Sequence, residues 1–252
     1  MLARGTATIV DAMEITGRVA LVTGGARRVG RALSLALAEA GADVVVNYHE
    51  SADEARATVQ EIERLGRRSV AVQADVSRAA DVRGLMDTAA REFGRLDILV
   101  NNASLFEYKP LLEIDEMEWD RVLGVNLKGP FLTAQAAAPL LKERDGGSIV
   151  NIVDLSALQP WPSFAHHSVS KAGLLHLTRV LARALAPDIR VNSIAPGTVL
   201  PPESTEGEDG SERRVTRREG RPDDVVDALL YLLRSDFVTG ENIVVDGGRM
   251  LL

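Results

Sequence analysis

The chain has 252 residues, 46% of them hydrophobic and 26% charged, so it can bury a full core and is not intrinsically disordered. It has no cysteine, which excludes disulfides, thiolate metal sites and a cysteine nucleophile. Against 36 Asp and Glu stand 29 Lys and Arg, a net charge of −7 that repels nucleic acid and anionic membranes at long range.

Residues 1–14 carry a weak apolar patch and read as a short extension without chemistry. From 15 to 252 the pattern predicts one domain, in which apolar runs of strand length alternate with segments of helical period. Strands are predicted over 19–22, 43–47, 69–73, 98–101, 148–153, 190–194 and 242–245. Helices are predicted over 29–40, 53–65, 79–93, 118–142, 164–185 and 223–233. The strands are rich in Val and Ile without polar alternation, which suits a parallel sheet covered on both faces. Right-handed crossovers then give a doubly wound α/β fold with seven parallel strands and a ligand at their carboxyl ends. The longest nearly apolar stretch, Gly129 to Leu141 between Lys128 and Lys142, is shorter than the ~20 residues of a membrane span. A cytoplasmic protein with a small-molecule partner, and with neither nucleic acid nor membrane, is expected.

The first strand runs into Thr23-Gly24-Gly25-Ala26-Arg27-Arg28-Val29-Gly30. Glycines at a strand-to-helix turn let the backbone approach a pyrophosphate, which then meets the helix N-terminus. The spacing is TGxxxRxG. Further on come Asp75 in QADVS, Asn101-Asn102-Ala103, Asn126 in GVNLKG, Lys171, Pro196-Gly197 and Val245-Asp246-Gly247-Gly248. On these motifs the chain, over about residues 16–250, resembles the short-chain dehydrogenase/reductase family.

The resemblance implies a Rossmann fold and a nicotinamide cofactor. It assigns cofactor contacts to Gly24, Arg27, Arg28, Val29, Gly30, Asn47, Tyr48, His49, Ser51, Asp75, Val76, Asn102, Ala103, Ser104, Lys171, Pro196 and Gly197. NAD-selective sites carry a carboxylate at the end of the second strand. Here that position is Asn47, while Arg27 and Arg28 can pair with a 2′-phosphate, so NADP(H) is expected, with Glu50 the feature against it.

The family's general acid is a Tyr four residues before the Lys, a spacing that sets both on one helix face. Four residues before Lys171 stands His167, and none of the three tyrosines (Tyr48, Tyr108, Tyr231) precedes a Lys at that spacing. Thirteen residues before His167, where the family has Ser, stands Asp154. The expected catalytic set is Asp154, His167, Lys171 and Asn126, with His167 oriented by Asp154 as proton donor or as a relay through water. Tyr108 is a rival donor; His166 is expected to pack or face solvent, and His49 and His176 to be structural.

Asp154, Arg28 in TGxxxRxG and Ser104 after NNA are together marks of the family's pteridine reductase branch, and Phe106 matches an aromatic that stacks on a pterin. Leu200-Pro201-Pro202 and Gly247-Gly248-Arg249 resemble that branch too, the latter its dihydromonapterin reductases. Ser104, Phe106, Asp154, His167 and Leu200 are the substrate-binding candidates. The alternatives are a 3-oxoacyl or small-carbonyl ketoreductase, and a weakly catalytic NADP(H)-binding protein without the Tyr. Residues 201–221 read as a solvated loop over the substrate site. No metal is expected, since the His pair at 166 and 167 is adjacent and points apart. The family's pairing of helices across subunits implies a homotetramer.

Overall fold

The protein was analysed as a computed structural model that describes residues 13–143, 146–200 and 214–252. The extension, apart from residues 13 and 14, and the 201–213 part of the expected substrate loop lie outside the described residues.

Seven strands form one parallel sheet: β1 (Val19–Val22), β2 (Asp43–Tyr48), β3 (Ser69–Gln73), β4 (Ile98–Asn101), β5 (Gly147–Ile152), β6 (Ile189–Pro196) and β7 (Asn242–Val245). Their order is β3-β2-β1-β4-β5-β6-β7. The order reverses beside β1, which pairs with β2 on one side and β4 on the other. The carboxyl ends of β1 and β4 therefore part around a crevice, where doubly wound sheets bind ligands.

The helices are α1 (Arg28–Glu39), α2 (Ala52–Arg64), α3 (Ala79–Phe93), α4 (Glu116–Leu123), α5 (Gly129–Lys142), α6 (Ala165–Leu185) and α7 (Pro222–Arg234). Successive strand residues feed opposite layers. Ala20 and Val22 join a core with Leu33 and Leu37 of α1, Ile62 of α2 and Leu229 of α7. Val19 and Leu21 join a second core with Leu85 of α3, Ala137 of α5 and Leu181 of α6. Burial on both faces accounts for strands without polar alternation. No helix of the described residues is long and apolar enough to cross a membrane.

One predicted element is different in the structure. The continuous helix expected over 118–142 is two helices, α4 and α5, joined by a π-helical turn at Gly124–Lys128. Pro130 has no N–H to continue the helical ladder, and the Gly129 N–H bonds Gly124 O, five residues back. The bulge turns Asn126 fully into the interior. The start of α4 is fixed by a capping box in which Asp115 accepts from the Glu118 N–H and Glu118 from the Asp115 N–H.

At the start of α7, Asp224 accepts from the Arg221 N–H at 2.8 Å and from both ends of the Arg218 fork at 2.8 and 2.6 Å. The Arg218 hydrogen bonds hold its carboxyl down at about 2. A depressed carboxyl stabilises the fold above its ordinary value of 3.8 and loses that contribution as pH falls through about 2. The Tm of Asp224→Asn should therefore lie below that of the wild type at neutral pH. Thermal melts along a pH series should show the gap closing over that acid range; a gap independent of pH contradicts the assignment.

Candidate active site

The turn between β1 and α1 opens onto a groove of about 340 Å3 lined by Gly24, Arg27, Arg28, Val29, Gly30, Asn47, Tyr48, His49, Ser51, Asp75, Val76, Asn102, Ala103 and Ser104. Gly24 has φ +58°, and a Cβ on Gly30 would stand 2.1 Å from Gly24 O, so α1 packs onto the turn as only glycine permits. No side chain caps the N-terminus of α1, and its first turn has no acid. Its free N–H groups and partial positive charge fit a phosphate.

Several of the expected contact residues are held by the protein itself. Asn47 is buried: its Oδ1 accepts from the Gly24 N–H at 3.2 Å and its Nδ2 donates to Ala74 O at 3.0 Å. Its amide shapes the groove rather than reading a ribose. Asn102 Nδ2 donates to Thr23 O at 2.9 Å and Gly24 O at 3.0 Å, tying β4 to the glycine turn. Asp75 accepts from Ser77 N and Oγ at 2.9 and 2.7 Å. Burial pushes its carboxyl up, but the two Ser77 bonds, with His49 and Arg78 nearby, hold it below the ordinary value.

The two arginines also separate. Arg28 has φ +52°, a left-handed conformation where the family has Gly, and its Nη2 donates to Leu200 O at 2.9 Å. It therefore reaches toward the cleft, while both Arg27 and Arg28 stay exposed along the groove.

The groove continues into a cleft of about 690 Å3 whose lining includes Ser104, Phe106, Asp154, His167, Lys171, Pro196, Gly197 and Leu200. Phe106 stacks on Phe164 with centroids 4.5 Å apart, and Trp161 meets both edge-on, so one wall is aromatic. Tyr108 is absent from this lining; its ring meets Phe164 edge-on and is 68% exposed, so it is no rival proton donor here.

At the foot of the cleft the expected four-residue set is assembled. Asp154 leaves β5 into a short 3-10 turn at Leu155–Ala157, and its Oδ1 accepts from Ser156 N at 2.8 Å and Ser156 Oγ at 2.5 Å. Its Oδ2 lies 2.5 Å from His167 Nε2. The other ring nitrogen, Nδ1, lies 2.9 Å from Leu105 O. Asn126 fixes that end: its Oδ1 accepts from the Leu105 N–H at 2.8 Å, so its Nδ2 is the donor, to Leu105 O at 3.0 Å and Ser170 Oγ at 3.1 Å. One ring nitrogen of His167 thus meets the Asp154 carboxylate, and the other meets Leu105 O with Asn126 Nδ2 at 3.3 Å.

His167 is only 2% exposed at its side chain, against 21% for Asp154. Of the two cleft-lining side chains the imidazole is thus the more enclosed, and the carboxylate the more open. Lys171, one turn further along α6, is buried and donates from Nζ to Ile152 O at 2.8 Å. Burial pushes its ammonium down and the Asp154 charge opposes this. Burial pushes the Asp154 carboxyl up, but the His167 bond, the Lys171 charge and Ser156 prevail and hold it below the ordinary value. His166 is buried on the other side of α6, where burial pushes it down.

Sequence reasoning missed the Leu105 carbonyl, Ser156, Ser170, Trp161, Phe164 and Thr198 at this site. The DLS triplet at 154–156, in which a short side chain accepts from the N–H two residues on, is a turn signal that points to Ser156. No local signal marks the Leu105 carbonyl.

A family profile described as Enoyl-(Acyl carrier protein) reductase matches residues 24–249. The chain is 41% identical over 246 residues to an uncharacterized oxidoreductase of Methylorubrum extorquens, covering 93% of this chain and 98% of the relative. It is 36% identical to a 3-oxoacyl-[acyl-carrier-protein] reductase of Synechocystis, covering 94% and 98%. This chain is a short-chain dehydrogenase/reductase. Two solved structures of the same kind superpose closely. A dehydrogenase/reductase from Sinorhizobium meliloti 1021 has a TM-score of 0.87 at 37% identity, covering 94% of this chain and 97% of its own. A short-chain type dehydrogenase/reductase from Mycobacterium marinum has a TM-score of 0.88 at 33% identity, covering 97% and 100%. Within the short-chain dehydrogenase/reductase family, the Asp154–His167 pair stands where the expected pattern has Ser and Tyr.

Proposed function

We propose that this short-chain dehydrogenase/reductase is an NADP(H)-dependent reductase of the pteridine reductase type, acting on a C=N or conjugated C=O of a flat heterocycle. The observation that carries the reading is the Asp154–His167 contact of 2.5 Å at the foot of an aromatic-walled cleft. The uncapped N-terminus of α1 would hold the pyrophosphate, Arg27 the 2′-phosphate, and Lys171 the nicotinamide ribose. NADPH, when bound, supplies the hydride.

The residues of the chain supply the proton. As carbon gains hydride, the neighbouring N or O gains an electron pair and takes a proton. Asp154 lines the cleft and shares one proton with His167 Nε2 through Oδ2, so the proton leaves from the carboxyl group. The pair is then one proton poorer, with a carboxylate and a neutral ring, and is refilled from solvent. The Lys171 ammonium beside the carboxylate favours its ionised form. Exposed Phe131 on α5 and Val169 and Val180 on α6 support the association into a homotetramer that family resemblance suggests.

The second reading, a 3-oxoacyl reductase, is favoured by the name of the relative from Synechocystis. NADPH oxidation with dihydrobiopterin, dihydrofolate and an acetoacetyl thioester tests both. Turnover of the pterins supports the proposal, and turnover of the thioester alone overturns it. Tight cofactor binding with no oxidation of any of them means a nucleotide-binding protein. The cofactor assignment has its own test. Arg27→Ala should weaken NADPH about tenfold by fluorescence titration and leave NADH unchanged, as loss of a charge-assisted phosphate contact requires. Equal weakening of both contradicts it.

A further inference from the structure

Arg249 lines the cleft but not the nucleotide groove. The turn before it is set by Asp246, which accepts from the Gly248 and Met250 N–H groups at 2.8 Å each. Gly247 and Gly248, at φ +63° and +81°, fold the chain back so that Arg249 Nη1 donates to Thr198 Oγ1 at 3.0 Å. Its guanidinium carbon stands 6.0 Å from the centroid of the Trp161 ring, within cation–π range. Arg28 is anchored two residues further along the same segment, on Leu200 O.

Two guanidinium groups therefore flank the Thr198–Leu200 segment, and among the described residues neither has a carboxylate within ion-pair distance. Among the described residues the one acid lining the cleft is Asp154, which is satisfied by His167 and Ser156. A planar fork without a counter-ion, beside an aromatic wall, suits a carboxylate or phosphate carried on a flat ring. Arg28 belongs to the nucleotide turn and faces both spaces, so the cofactor phosphates claim it first. Arg249 has no such competing ligand.

We infer that the substrate carries an anionic substituent, and that Arg249 binds it while the ring lies along Phe106, Phe164 and Trp161. This rests on the proposed function in taking the cleft as the substrate site.

The test holds the ring constant and varies the charge, with dihydrobiopterin as the neutral substrate, dihydrofolate as the carboxylate and dihydroneopterin monophosphate as the phosphate. Arg249→Gln should raise KM roughly tenfold or more for at least one charged substrate and less than about twofold for dihydrobiopterin, with kcat unchanged. NADPH affinity should also be unchanged. An equal rise for all three substrates, or a loss of NADPH affinity, overturns the inference.

A second arm needs no turnover. The NADPH complex is titrated with 4-aminobenzoylglutamate, with 4-aminobenzamide as the neutral control, and nicotinamide fluorescence is followed. Binding of the acid by the wild type and not by Arg249→Gln upholds the anion site even if no pterin is reduced. Equal binding by both proteins, or by neither, overturns it.

Discussion

Asp154→Asn should lower kcat by about 10²–10⁴, the range lost with a general acid, while NADPH binds as in the wild type. An amide keeps the size of the side chain but cannot receive the proton of His167 and pass it on. The companion variant separates the two residues. In His167→Phe, which has no donor, the hydrogen bond that does most to lower the Asp154 carboxyl is gone, while the burial that raises it remains. The carboxyl then protonates at higher pH than in the wild type, and the variant should recover activity as the medium is made more acidic. Above that value it is ionised and has no proton to give, so kcat should fall as pH rises through it. Steady-state kcat measured from mildly acidic to alkaline pH, with saturating NADPH, checks both. Wild-type turnover in Asp154→Asn removes the carboxylate from the mechanism, and a pH profile in His167→Phe matching that of the wild type removes the shared proton.

Gly30→Ala should abolish cofactor binding and destabilise the protein. The added Cβ would stand 2.1 Å from Gly24 O and 2.5 Å from Asn102 Nδ2, and the first of these is backbone. The N-terminus of α1 must move away, which also breaks the Asn102 bond to Gly24 O. Overpacking of this kind costs about 1–3 kcal/mol, and the displaced N–H groups no longer converge on one anion. NADPH affinity should fall by more than about a hundredfold by titration, roughly the 3 kcal/mol of two charge-assisted hydrogen bonds. Thermal melting should show a lower Tm. Retention of wild-type affinity would mean that the turn does not hold the pyrophosphate.

The seven strands and most helices were legible because their signals are local. Val and Ile runs such as 19–22 and 98–101 have one comfortable conformation, and Gly and charge clusters mark where they end. The glycine turn, Asp154, His167 and Lys171 were legible for the same reason: a fixed spacing on a strand end or a helix face carries them together. The break at Gly124–Lys128 was not, because a π turn differs from an α turn by one hydrogen bond and the apolar period runs through it.

Sequence alone thus determined which residues gather at the carboxyl end of the sheet and which chemistry they offer. Only the tertiary structure decided how they divide the work. Arg28 goes to Leu200 and Asn47 to the glycine turn, and His167 is enclosed by Leu105 and Asn126 while Asp154 meets the cleft. The physical reason is that each of these choices is a hydrogen bond between segments far apart in the chain. Once burial removes water, a side chain bonds to the partner the packing brings near, and no local pattern encodes that partner.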